Sequence, residues 1–101
     1  MTDYNGTTFE AADLYRAMFA YGTFTSCAFN GKADRCNFSK ATFTTCTFGD
    51  GFKFENCNLA SVTGITPELV DGGIYSTPEE YVAEIQEKIS LGLLPRNYTE
   101  E

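Results

Sequence analysis

Four cysteines are the side chains best suited to chemistry in this chain of 101 residues. Cys27, Cys36, Cys46 and Cys57 lie 9, 10 and 11 residues apart. Thiolates bind zinc and attack electrophiles. No two of these cysteines have the short gap of a zinc ligand pair, although four thiolates gathered from distant turns of chain would still suit the metal. Histidine is absent, which removes the commonest general base and metal ligand. There is no Gly-rich phosphate loop and no Ser-x-x-Lys pattern. These residues predict no catalytic site, no metal and no cofactor. The alternative role for the thiols is packing, since free cysteine behaves as a small buried hydrophobe.

The elements that hold the cysteines follow from a repeat. Read in fives, Thr7 to Ser61 shows a column of large apolar residues: Phe9, Leu14, Phe19, Phe24 and Phe29. The column resumes at Phe38, Phe43, Phe48, Phe54 and Leu59. Small residues stand two positions earlier, among them Ala12, Ala17 and all four cysteines. A period of five fits neither a helix nor a flat strand. It requires a backbone that turns a corner in every repeat, so that each fifth side chain points to one axis. Four corners close a square coil, and coils stack at about 4.8 Å.

Two slips interrupt the register. Phe29 and Phe38 are nine residues apart, with Ala33 as the intervening centre, and Phe48 and Phe54 are six apart. Asp50-Gly51 is the expected bulge. With these corrections Phe9, Phe29 and Phe48 share one side. Leu14, Ala33 and Phe54 share the next, Phe19, Phe38 and Leu59 the third, and Phe24 and Phe43 the fourth. Cys27 then lies over Cys46, and Cys36 over Cys57.

Ala12-Asp13-Leu14-Tyr15-Arg16, Cys36-Asn37-Phe38-Ser39-Lys40, Ala41-Thr42-Phe43-Thr44-Thr45 and Cys57-Asn58-Leu59-Ala60-Ser61 resemble the pentapeptide-repeat family. The resemblance implies a right-handed, four-sided parallel β-helix of just under three coils. It covers about half of the chain. Residues 1–6 read as a polar lead-in, with Tyr4 folding back over the first coil, and 62–101 as a helical C-terminal cap. Thr66 to Val70 reads as a capped helical turn ended by Asp71-Gly72-Gly73. Thr77-Pro78-Glu79-Glu80 is a capping box, and a helix is expected from Pro78 to Leu91 with Gly92 as its stop. Val82, Ile85 and Ile89 form its apolar stripe beside Tyr81. With Leu93, Leu94 and the coil-end residue Phe52, that stripe either plugs the open solenoid or pairs with a second copy. The resemblance favours a homodimer through this segment. The end of the chain, 96–101, is expected to be loose.

Net charge is −7. From Thr7 to Ser61 five acids balance five bases, whereas from Val62 onward eight acids face Lys88 and Arg96. Without a basic stripe, direct nucleic-acid binding is not expected. No stretch is long and apolar enough to cross a bilayer. The opening residues lack the basic and apolar regions of a signal peptide. A cytoplasmic protein with reduced thiols is the expectation.

Some relatives in the family that the repeats resemble mimic duplex DNA with an acidic rod. Here the repeat region is near neutral, and acidity collects at Glu79, Glu80, Glu84 and Glu87. Those glutamates are either a partner-facing surface or a solvated helix face. Tyr15, Met18 and Tyr21 occupy outward positions of the first coil, either as a second partner surface or beneath the lead-in or tail. Paired threonines, Thr23/Thr25 over Thr42/Thr44, fit an ice- or glycan-binding strip or plain strand propensity. The expected function is a non-enzymatic interaction module. In its concrete form it is a small regulator or inhibitor, phage- or mobile-element-encoded in one version. It would block a larger machine such as a DNA-handling enzyme. The alternatives are a structural dimeric module of an assembly and, more weakly, a small-molecule binder between tail and solenoid.

Overall fold

Corner residues are what a five-residue period demands, and they are present in the computed structural model, which describes residues 2–97. Arg16, Tyr21, Ser26, Arg35, Lys40, Thr45, Asn56 and Ser61 have φ between 52° and 64°. Each stands two positions after an inward-pointing centre. The left-handed region costs a residue with a side chain on the order of 1–2 kcal/mol. Hydrogen bonds between coils and ring stacking must offset that cost at every turn.

Between corners the chain runs in short parallel strands. β1 (Asp3–Asn5), β3 (Thr23–Thr25) and β6 (Thr42–Thr44) form one sheet. β2 (Thr8–Phe9), β4 (Ala28–Phe29) and β7 (Thr47–Phe48) form another. β5 (Ala33–Asp34), β8 (Phe54–Leu59) and β9 (Val70–Tyr75) form the third. Bridges between Met18 and Asn37, and between Asn37 and Asn58, join the remaining side. β8 bends at Asn56 and so covers two sides. The result is a parallel β-solenoid of about four turns carrying a C-terminal helix.

The stacking order expected from sequence holds on every side. Phe9 pairs with Phe29 and Phe29 with Phe48, Ala33 with Phe54, and Phe24 with Phe43. Ring centroids follow the rung spacing: 4.9 Å for Phe24–Phe43, 5.0 Å for Phe9–Phe29 and 5.1 Å for Phe19–Phe38. Rings on adjacent sides meet edge to face, as in Phe9–Phe24, the geometry that the ring quadrupole favours. Leu14, Phe24, Phe29, Phe38, Phe54 and Leu59 are fully buried. No pocket opens among the described residues.

The solenoid is longer than the expected three coils, at both ends. Asp3–Asn5, expected as lead-in, is a rung: Tyr4 aligns with Phe24, and their rings stack at 4.9 Å and 7°. At the other end Asp71-Gly72-Gly73, read as a helix stop, lies inside β9, which pairs with β8 from Phe54↔Val70 to Leu59↔Tyr75. Only the short 3-10 turn Pro67–Leu69 precedes it. Val62 is buried, and Thr63 bridges to Thr42.

The cap also differs from expectation. The helix itself is present as α1 (Pro78–Ser90), with Leu91 as C-cap and Gly92 at φ 79°. Thr77 N–H donates to Glu80 Oε2 at 2.9 Å, and Glu80 N–H donates to Thr77 Oγ1 at 3.3 Å. Yet α1 has no buried residue, so it does not plug the coil. Phe52, 2 % exposed, is covered at that end by the last turn, where Ile65, Leu69, Val70 and Tyr75 pack half-buried against the core. Most of the expected loose end, 98–101, lies outside the described residues.

Candidate functional site

The thiols occupy the small slot of their repeats and point along the ladder. Thr47 N–H donates to Cys27 O, and Asn58 N–H to Cys36 O, both at 2.9 Å, which sets Cys27 beside Cys46 and Cys36 beside Cys57. Each thiol donates to a carbonyl of the preceding coil: Cys27 to Tyr4 O at 3.5 Å, Cys46 to Phe24 O at 3.3 Å, Cys36 to Leu14 O at 2.9 Å and Cys57 to Ala33 O at 3.4 Å. All four are free thiols; Cys46 is half-buried and the other three are buried. Among the described residues no three cysteines or carboxylates converge as a metal site would require.

Proximity changes how the thiols titrate. A hydrogen bond with the Cys57 thiol, working against burial, lowers Cys36 to about 7. The same contact, with burial, pushes Cys57 far up. The two therefore lose protons as one coupled pair, the second ionisation being strongly opposed. Burial raises Cys46.

The outward residues fall into two groups. Tyr15, Met18 and Tyr21 remain open on the first coil, at 54 %, 76 % and 45 % exposure. Among the described residues neither β1 nor α1 buries them. Tyr21 is nevertheless tied to α1, because Lys40 Nζ stands 5.4 Å from the Tyr21 ring and 5.2 Å from the Tyr81 ring. Arg16 lies 5.4 Å from the Tyr15 ring. The first coil and the helix thus meet through one cation.

The helix carries the second group. Glu79, Glu80, Glu84 and Glu87 are all exposed. At 100° per residue Glu80, Glu84 and Glu87 lie opposite Val82, Ile85 and Ile89, and Glu79 lies between the two faces. Lys88 pairs with Glu84 at 3.2 Å. On the apolar side Ile85, Ile89 and Leu94 are half-buried, while Val82 is 57 % and Leu93 69 % exposed. Leu91, the C-cap, is 66 % exposed.

Another acidic column was not legible until the register was known. Asp34 aligns with Glu55, and Glu55 with Asp71, one rung apart on one side. Lys32 pairs with Glu55 at 3.6 Å and Arg35 with Asp34 at 3.9 Å, which leaves the column partly neutralised. The threonine pairs continue upward as Asp3 and Asn5 rather than threonine, so the strip is two rungs of paired threonine. Comparison of the chain with protein-family models, with curated proteins and with solved structures returned no match.

Proposed function

We propose that this chain is a non-enzymatic interaction module of the pentapeptide-repeat kind. It acts as a small regulator or inhibitor that blocks a larger macromolecular machine, with DNA-handling enzymes the class to test first. One observation carries this reading. Helix α1 contributes nothing to the core, yet it is well capped and holds four exposed glutamates. A helix that a fold does not need for its core is available for contact. Its negative potential would attract a basic, nucleic-acid-binding surface. The solenoid is the rigid mount: stacked rings and inter-coil hydrogen bonds fix the corner from which the helix departs.

The test is affinity capture from the chain's own source cells with two baits. One is the native chain; the other carries Glu→Gln at positions 79, 80, 84 and 87. Glutamine preserves the capping box, so the comparison removes charge and keeps the helix. The reading expects proteins captured by the native bait to be missing with the glutamine bait. Equal capture by both folded baits would refute electrostatic recognition.

The exposed apolar residues favour a second reading, a structural homodimer. Val82 and Leu93 are large apolar side chains left mostly in water. Pairing through the Val82 side of α1 would leave Glu80, Glu84 and Glu87 outward. Light scattering across a range of concentrations tests this. A mass that stays at one chain throughout removes the dimer, and a dimer abolished by Leu93→Asp supports it.

A further inference from the structure

Packing alone does not exhaust what the Cys27–Cys46 step of the ladder can do. The two residues are direct partners in adjacent parallel coils, fixed on one flank by Ala28↔Thr47 and on the other by Thr25↔Thr44. Adjacent strands lie about 4.8 Å apart, within the Cα separation of about 4.4–6.8 Å that a disulfide spans. Both thiols lie on the same inward-facing column, so closing the bond needs side-chain rotation and a small approach of the two Cβ atoms, from rung spacing to about 3.5–4.5 Å. Their present hydrogen bonds are long, 3.3–3.6 Å. Two of the accepting carbonyls have a backbone donor besides: Thr25 O accepts from Gly6 N–H and Thr44 O from Ser26 N–H, both at 2.9 Å. Giving up the thiol donors leaves those carbonyls satisfied.

We propose that Cys27 and Cys46 form a modification site, a latent disulfide that staples the second turn to the third when a peroxide or a low-molecular-weight disulfide is supplied. Cys46 is the entry point because it is the half-buried member, whereas Cys27 is 1 % exposed. With hydrogen peroxide, the Cys46 thiolate attacks one oxygen and the O–O bond breaks. Cys46 becomes a sulfenic acid, and the hydroxide released leaves as water with the thiol proton. The Cys27 thiolate then attacks the Cys46 sulfur. The S–S bond forms, the S–O bond breaks, and the second water carries off the Cys27 proton. Two thiols lose two electrons and two protons, and one peroxide becomes two waters. Burial opposes thiolate formation at Cys46, so the reaction is slow near neutrality and quickens with rising pH. Cys36 and Cys57 have the same rung spacing but are 2 % and 1 % exposed. They are sealed from the oxidant while the fold is intact.

The experiment uses the folded full chain, treated with hydrogen peroxide or oxidised glutathione, then alkylated, denatured and mapped by mass spectrometry. The expected product has lost two hydrogens and links Cys27 to Cys46. Cys36 and Cys57 become alkylated only after denaturation. The melting temperature should rise by about 15 °C, as closing a loop of this length implies. In Cys27→Ala, a glutathione adduct should persist on Cys46, because the resolving thiol is gone. A sulfinic acid or lasting adduct on Cys46 of the native chain, with Cys27 still free, would overturn the proposal. So would scrambled links, or a first link between Cys36 and Cys57.

Discussion

Replacing Gly73 by alanine tests the placement of the last strand, which inverts the reading of Asp71-Gly72-Gly73 as a helix stop. Gly73 lies opposite Cys57 in the β8–β9 ladder, at φ 82°. A Cβ built there would sit 2.4 Å from Cys57 O and 2.7 Å from Cys57 N, both backbone atoms. Neither can swing aside as a side chain would. Reaching ordinary contact needs the coils to part by roughly 1 Å. That forfeits perhaps two ladder hydrogen bonds at about 1 kcal/mol each. The left-handed φ adds on the order of 1–2 kcal/mol. The expected loss is about 3–4 kcal/mol. Gly51 is the internal control: its φ is 76°, but nothing lies within 4 Å of its Cβ position. Gly51→Ala should therefore cost only the backbone term, about 1–2 kcal/mol. Urea denaturation of both variants measures the difference. Amide exchange should locate the Gly73→Ala damage in β8 and β9. Equal costs for the two variants, or unchanged protection of β8, would refute the placement of β9 against β8.

Phe24→Ala should cost about 3–5 kcal/mol, measured by urea denaturation, because the ring is fully buried between Tyr4 and Phe43 at 4.9 Å from each. Lys40→Met keeps the aliphatic stem but loses both ring contacts. It should cost about 1–2 kcal/mol and speed amide exchange in the first two turns of α1 without disturbing the coils. The Cys46 thiol is raised above 9.0 by burial, so its contribution to stability is full below that pH and is lost as pH rises, when the unfolded chain ionises first. The fall in denaturation midpoint between about pH 8 and about pH 10 should then be smaller in Cys46→Ala.

The repeat was readable because its physics is local. Every fifth side chain had to point inward, so Phe9 through Leu59 announced their sides. The two slips at Ala33 and Gly51 could be placed by counting. What escaped was the ends. Tyr4 stands five residues before Phe9, and Val70 five before Tyr75, so both sit on the column's period. But residues 1–6 read as a polar lead-in and Gly72-Gly73 as a helix stop, whereas in this fold Gly6, Gly72 and Gly73, all at positive φ, mark corners rather than breaks. A residue with positive φ ends a helix but merely bends a coil. The role of α1 was only half legible. Its caps and stripe were written in Thr77, Pro78 and Glu80. That the final coil would cover Phe52 in its place depended on the unseen strand Val70–Tyr75. The Asp34–Glu55–Asp71 column needed the register of all three coils, which sequence spacing alone left unfixed beyond Leu59.

The central claim is that the exposed acidic face of α1 is the working surface. Its most direct test is the affinity of the purified captured partner for two chains, native and Glu→Gln at 79, 80, 84 and 87, at low and at physiological salt. Four surface charge contacts at about 0.2–1 kcal/mol each predict binding weaker by about fourfold to several hundredfold in the glutamine chain. The native chain should lose affinity as salt rises, and the variant should be nearly insensitive to it. Equal affinities with the same salt response would contradict the account and move the working surface elsewhere on the molecule.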